Sequence, residues 1–265
     1  IPSIDNPYFA TIASEIVFEA KRYGYTVILL DTLEDEGNES ECINTLLTRS
    51  IDGIILVPCG ERPESLEKID EQTPIVLIDR YFEDTSLSYI CTDNYRGALD
   101  GVKLLIENGH KEILCIRGVP HSMPSKERVK GYIDALRESG FDTRSRIAGN
   151  DYSITNGYLE TKLAIGSPAR PTAIFALSNT IMLGAIRAIG ESSLRIPDDV
   201  SILSFDNNLF LDFLHPAVTR ISQPTKEISQ LAVKILMERL SDKQSVPQQI
   251  KLPAQIIEGK SVKRL

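Results

Sequence analysis

The chain is poor in the residues that do chemistry. It carries three histidines in 265 residues, His110, His121 and His215, and they fall in separate segments. None has a cysteine or carboxylate at a spacing that would bind a metal or activate a nucleophile. The four cysteines, Cys42, Cys59, Cys91 and Cys115, stand far apart in or beside apolar runs. A disulfide framework is out of place in a chain of this size, so they read as reduced core thiols of a cytoplasmic protein. There is no G-x-x-x-x-G-K-[ST] loop, no G-x-G-x-x-G after a strand and no G-x-S-x-G elbow. No apolar run is long enough to cross a membrane, and the first residues show no basic-then-apolar leader. Positive charge is also in deficit: 29 Lys and Arg against 37 Asp and Glu give a net charge of −8. Gripping nucleic acid needs clustered cations, so this chain does not do so by itself. These absences point away from an enzyme, a metal centre or a bound cofactor.

What is present is a regular alternation. Short apolar, β-branched runs recur at residues 25–31, 53–57, 74–79, 88–92, 112–117, 172–177 and 200–205. Between them lie segments of helical period. Phe9, Ile12, Ala13, Ile16, Val17 and Ala20 share one face of a helix that starts near Pro7, a residue suited to a first turn. Ile228, Leu231, Ala232, Ile235 and Leu236 do the same after Pro224. Gly24, Gly109 and Gly140 sit where helices should end in the left-handed conformation. Strand-helix alternation predicts an α/β fold with parallel sheets covered on both faces. Seven strands are many for one compact doubly wound sheet, so two are expected, with a boundary near residues 88–94 and Asp93 as a helix N-cap. Ile1-Pro2-Ser3-Ile4 reads as the exit from a first strand whose body lies upstream.

Polar groups gather at the ends of these runs. Asn6, Tyr8 and Phe9 follow the strand exit at Ile1–Ile4, Asp79 and Arg80 end the run 74–79, Ser178 and Asn179 end 172–177, and Asp206 ends 200–205. In an open parallel sheet, ligands sit beyond the carboxyl ends of strands. Each residue also has a structural role open to it: Ser178 and Asp206 as helix caps, Asp79 and Arg80 as a surface ion pair, Phe9 as core. Their recurrence at one edge shifts the weight toward a shared ligand site. Carboxylate, guanidinium and amide groups pair with neighbouring hydroxyls while an aromatic ring covers an apolar face, which is chemistry suited to a sugar.

Nine segments in order resemble the LacI/GalR family of bacterial transcriptional regulators. They are Ile1-Pro-Ser-Ile-Asp-Asn-Pro-Tyr-Phe9, Ser50-Ile-Asp-Gly-Ile-Ile-Leu56, Pro74-Ile-Val-Leu-Ile-Asp-Arg80, Asp93-Asn-Tyr-Arg-Gly97, Gly109-His-Lys-Glu-Ile113, Glu127-Arg-Val-Lys-Gly-Tyr132, Pro171-Thr-Ala-Ile-Phe-Ala176, Ile196-Pro-Asp-Asp-Val-Ser201 and Gln223-Pro224. The resemblance implies a type I periplasmic-binding-protein-like fold: two doubly wound parallel-sheet lobes joined by three crossovers. It implies an N-terminal lobe of residues 1–91 plus 222–251 and a C-terminal lobe of 92–221 plus 252–265, with an effector held between them.

The same resemblance implies an effector site at Asn6, Tyr8, Phe9, Asp79, Arg80, Arg128, Ser178, Asp206 and Gln223. Periodicity alone reads Arg128 equally well as an exposed helix arginine. Many relatives have Asn-Asp where this chain has Ser178-Asn179, so a contact expected there is lost or bridged by water. The effector expected is a pentose or hexose, free or phosphorylated; a nucleobase or nucleoside, or a phosphorylated partner protein, stays open. The intact protein is expected to be a cytoplasmic homodimer that binds operator DNA through an upstream helix-turn-helix. The competing reading is a sugar-binding protein of a transport or chemotaxis system, and a nucleotide-binding enzyme is the more distant one.

Overall fold

A computed structural model describes residues 1–141, 145–242 and 245–265. The chain divides into two compact units, Ile1–Thr92 with Pro224–Leu252 and Asp93–Gln223 with Pro253–Leu265, so it passes from one unit to the other three times. Each is an α/β layer structure.

Unit 1 contains α1 (Pro7–Arg22), α2 (Glu36–Leu47), β1 (Ile54–Leu56), α3 (Glu64–Asp70), β2 (Ile75–Ile78), β3 (Ser88–Thr92), α8 (Thr225–Ser241) and β9 (Gln249–Leu252). The strands form one parallel sheet in the order β1-β2-β3-β9. Alternate side chains of β2 serve opposite faces, as the two-residue period requires. Val76 and Ile78 pack with α1 and α8, while Ile75 and Leu77 pack with Ile43 of α2 and Leu66 of α3. The helix expected after Pro7 is present, and its buried Phe9, Ile12, Ala13, Ile16 and Ala20 form the expected stripe, while Val17, expected on the same face, is exposed at its margin.

Unit 2 contains α4 (Asn94–Glu107), β4 (Ile113–Ile116), α5 (Met123–Glu138), β5 (Arg146–Ala148), α6 (Ile154–Ile165), β6 (Ala173–Ala176), α7 (Asn179–Gly190), β7 (Ser201–Phe205), β8 (Thr219–Ser222) and β10 (Gln255–Ile257). Its sheet runs β10-β8-β7-β6-β4-β5, parallel except for β10 against β8. From β4 the chain winds through α5 to β5 on one side; from β6 it winds through α7 to β7 on the other. The crevice between the carboxyl ends of β4 and β6 is therefore the topological switch point, where such sheets take their ligands. Ile113, Cys115, Phe175, Leu203 and Phe205 face α4 and α5, whereas Leu114, Ile116, Ile174 and Ile202 face α6 and α7. On that second face α6 and α7 come very close at two glycines. A Cβ on Gly157 would lie 2.0 Å from the Ile181 carbonyl oxygen, and one on Gly184 would lie 2.0 Å from that of Ile154.

Gly24, Gly109 and Gly140 have φ of +82°, +93° and +76°, the left-handed stops expected of them. Asp93 caps α4 by accepting the Arg96 N–H. One expected strand is not formed. Among the described residues, 25–31 have no ladder, and their strand-like pairing is at one end, where Ile1 donates to Leu30 and accepts from Thr32. The side chains there have strand character, but a strand also needs a neighbour along its length. Strands β5, β8, β9 and β10 were not visible as apolar runs; the exposed-intermediate alternation of β9, for example, leaves little apolar signal.

Candidate functional site

In unit 2 the decisive backbone is at the end of β7. Asp206 follows Phe205 with φ +75°, a left-handed conformation that costs most residues about 1–3 kcal/mol and is best tolerated by Gly, Asn and Asp. This turn leaves the carboxylate buried at the strand's carboxyl end. Its Oδ1 accepts the Gln223 side-chain amide at 2.5 Å, and its Oδ2 accepts the backbone N–H of Asn179 at 3.3 Å. Asp206 thus does cap a helix, but that helix is α7, which follows the neighbouring strand. Ser178 caps α7 as well, its Oγ accepting the Ile181 N–H at 3.2 Å and bonding Thr180 Oγ1 at 2.9 Å.

Arg128 lies on the second turn of α5 and is buried, not exposed. Its Nε donates to Asn94 Oδ1 at 2.8 Å and its Nη1 to the Leu177 carbonyl at 2.6 Å. The guanidinium stands 3.7 Å from the centroid of the Phe205 ring, a favourable cation–π contact. A guanidinium has five N–H donors. With two engaged, three have no protein acceptor among the described residues. Arg128, Ser178, Asp206 and Gln223 are therefore one contiguous set: Arg128 is fixed to the residue before Ser178 and to the ring before Asp206, and Asp206 is bonded to Gln223.

Unit 1 repeats the backbone device. Asp79 ends β2 with φ +65°, and its Oδ1 accepts the Tyr8 hydroxyl at 2.9 Å. Tyr8 meets Phe9 edge-on at 5.1 Å between ring centroids, and both rings belong to the buried core under α1. Asn6 caps α1 by accepting the Tyr8 N–H at 3.0 Å. Arg80 is 3.8 Å from Asp79, yet neither is a surface residue. The Arg80 fork is turned to Glu34, with Nη1 and Nη2 donating at 2.9 and 2.7 Å, and a further bond reaches the Pro58 carbonyl. Tyr8, Asp79 and Arg80 come together; Phe9 joins through its ring, and Asn6 acts through the helix end.

Several residues of these clusters have no signal in the sequence. Asn94 orients Arg128 from the first residue of α4, a position shared by many non-functional asparagines. Glu34 holds Arg80 from a turn of its own. Asn179 has both side-chain polar atoms buried without a protein partner among the described residues, which in a polar crevice marks a place for water or ligand. No group of three or more His, Cys, Asp or Glu is placed to hold a metal ion among the described residues. No helix among them is long and apolar enough to cross a membrane.

Residues 102–262 match the periplasmic binding protein-like domain family. The chain is also 33% identical over 245 residues, 91% of its own length and 71% of the relative's, to the HTH-type transcriptional repressor CytR of Escherichia coli K12. It belongs to the LacI family of transcriptional regulators. Among solved structures, the LacI-type fold is shared with a putative ribose operon repressor from Burkholderia thailandensis (31% identity, TM-score 0.85, covering 97% of this chain and 96% of that one). A LacI family regulator from Enterococcus faecalis V583, solved with bound ribose, is 26% identical with a TM-score of 0.90, covering 100% of this chain and 97% of that one. The chain is thus the effector-binding part of a LacI-type regulator, and the relatives named are regulators, not enzymes.

Proposed function

We propose that this LacI-family domain binds a pentose or hexose, free or phosphorylated, through side chains at the carboxyl ends of its parallel strands. Binding controls operator recognition by a helix-turn-helix outside these residues in a cytoplasmic homodimer. The observation that carries the reading is the pairing of a buried, left-handed Asp206, held by Gln223, with an Arg128 that keeps three N–H donors unspent. An acceptor pair beside a donor fork bridges vicinal hydroxyls, and the same fork takes a phosphate. The ribose-bound relative and the ribose operon repressor support a sugar as the class of effector. The ligand acts by binding one arrangement of the dimer better than the other.

The test is a thermal-shift screen of sugars and sugar phosphates followed by calorimetric titration of the hits. A ligand at one hundred times its Kd stabilises by about 2.7 kcal/mol. Arg128→Ala and Asp206→Asn are each expected to lose at least tenfold in affinity, and both should still show the wild-type circular dichroism spectrum, asparagine being tolerated at φ +75°. Wild-type titration by both variants would place the effector elsewhere.

A further inference from the structure

The chain as a whole is acidic, with a net charge of −8, yet unit 2 carries a cationic groove. It has a volume of about 420 Å³, runs along the outer face of α5, and is lined by Arg117, Lys126, Lys130 and Arg137 against one carboxylate, that of Asp134. Lys126, Lys130 and Arg137 share a face of the helix because they are four and seven residues apart. At the helical rise they form a track about 16 Å long. Arg128, Tyr132 and Ala135 are buried on the opposite face, so the groove lies apart from the proposed effector contacts.

The bonding capacity of these cations is largely unspent among the described residues. Arg117 uses one of the five donors of a guanidinium, Nε to the Gly149 carbonyl at 3.1 Å. Lys130 meets the Tyr95 ring at 5.5 Å, and Lys126 has no acid partner. Arg137 shares Asp134 with the Tyr95 hydroxyl, at 2.7 and 3.3 Å. The head of the groove adds to the positive field. α5 starts without a side-chain cap and has no acid in its first turn, so the positive end of its dipole is uncompensated. Ser122, in the cap position, turns its hydroxyl to the Val119 carbonyl instead. Ser125, in that first turn, is 1% exposed and lines the groove, with an Oγ that has no partner among the described residues. Buried hydroxyls are normally bonded, so an acceptor is missing there. Half-buried Val129 and Ile133, packed on the core beneath, give the groove an apolar floor between the cations.

We infer that this groove docks an extended acidic segment of a partner protein. Its carboxylates lie on Arg117 and along the track from Lys126 to Arg137, and an aliphatic side chain rests on Val129 and Ile133. About five residues in extended form span the track, at roughly 3.3 Å each. Ionised carboxylates only accept hydrogen bonds, which is what the four cations and the Ser125 hydroxyl lack. Complementary charge steers such a segment in from solution and sets its register. A nucleic acid duplex is the poorer occupant, since it needs a broad cationic surface, the rest of the chain is acidic, and the apolar floor offers nothing to a phosphate backbone.

The experiment follows a fluorescein-labelled Glu/Leu heptapeptide by anisotropy, with inorganic phosphate and a DNA duplex as competitors. The peptide should bind, and bind more weakly as salt is raised. Lys126→Glu combined with Lys130→Glu should weaken it by about tenfold or more. A charge-matched control, Lys226→Glu combined with Lys234→Glu on α8, should change it by less than about twofold. All four lysines are exposed, and circular dichroism checks that both double variants fold. Ser125→Ala should weaken the peptide by about threefold without lowering Tm; a hydroxyl with only a structural role would lower Tm and leave the peptide unaffected. Equal losses from the two double variants would reduce the effect to bulk charge and overturn the proposal. So would failure of the peptide to bind, or its displacement by phosphate or DNA at matched charge, which would make the groove a phosphate site.

Discussion

At the residue scale, what separates a supporting side chain from a recognising one here is the count of bonding groups left over. Asp206 and Ser178 both cap α7; for Ser178 that role was legible because it ends an apolar run before that helix, whereas the sequence offered Asp206 only the helix following it. The left-handed backbone of Asp206 was not legible, because nothing local distinguishes an acid that continues a turn from one that reverses it. Arg128 was legible only through family resemblance. A buried and an exposed arginine on a helix look alike until the elements that bury it, the end of β6 and the Phe205 ring, are in place. His110 shows the same limit. It follows a helix stop as expected, but it is buried, with Nδ1 3.0 Å from Thr172 Oγ1 and Nε2 3.1 Å from the Lys263 carbonyl oxygen. Loss of solvent lowers its pKa below the ordinary histidine value, the hydrogen bond to Lys263 opposing this only in part. The unfolded chain therefore takes up a proton below about pH 6.5 that the folded chain refuses. The stability held by neutral His110 is full above that pH and is lost as pH falls toward the lower folded value. Urea unfolding at pH 7.5 and 5.5 should show a smaller drop for His110→Gln than for the wild type.

At the scale of elements, stops and stripes were easy to read and neighbours were not. The glycines that end helices and the face of α1 follow from local rules that hold wherever the segment is placed. A strand is a relation between two segments, and residues 25–31 carry the side chains of one without the ladder. The crossing of α6 and α7 is a further relation invisible in either helix alone. It depends on Gly157 and Gly184 meeting backbone, which cannot move aside as a flexible side chain could. Gly184→Ala should cost about 2–3 kcal/mol in urea unfolding. Gly190→Ala, at the open end of the same helix with nothing within 4 Å of the added carbon, should be neutral or mildly stabilising. Equal effects at the two positions would mean that the crossing relaxes freely.

At the scale of the whole molecule, each unit is assembled from separate pieces of chain. α8 and β9 complete the first, and the last thirteen residues complete the second, where Ser261 bonds Ile202 and Thr219 on two central strands. Residues 1–92 expressed alone lack the face on which α1 packs. They are expected to give no near-ultraviolet dichroism, and adding a peptide of residues 224–252 should restore it; a folded 1–92 would show that α8 is dispensable. The two units also share Asp79 and Asp206, one left-handed aspartate after a parallel strand in each. Backbone alone disfavours residues other than glycine, asparagine or aspartate at both positions by about 1–3 kcal/mol, whatever the effector. Under the proposed function, differences in ligand preference on this scaffold run through the neighbours of Asp206, Ser178 and Asn179 among them. Saturation mutagenesis would find two nearly invariant columns there, each flanked by permissive ones.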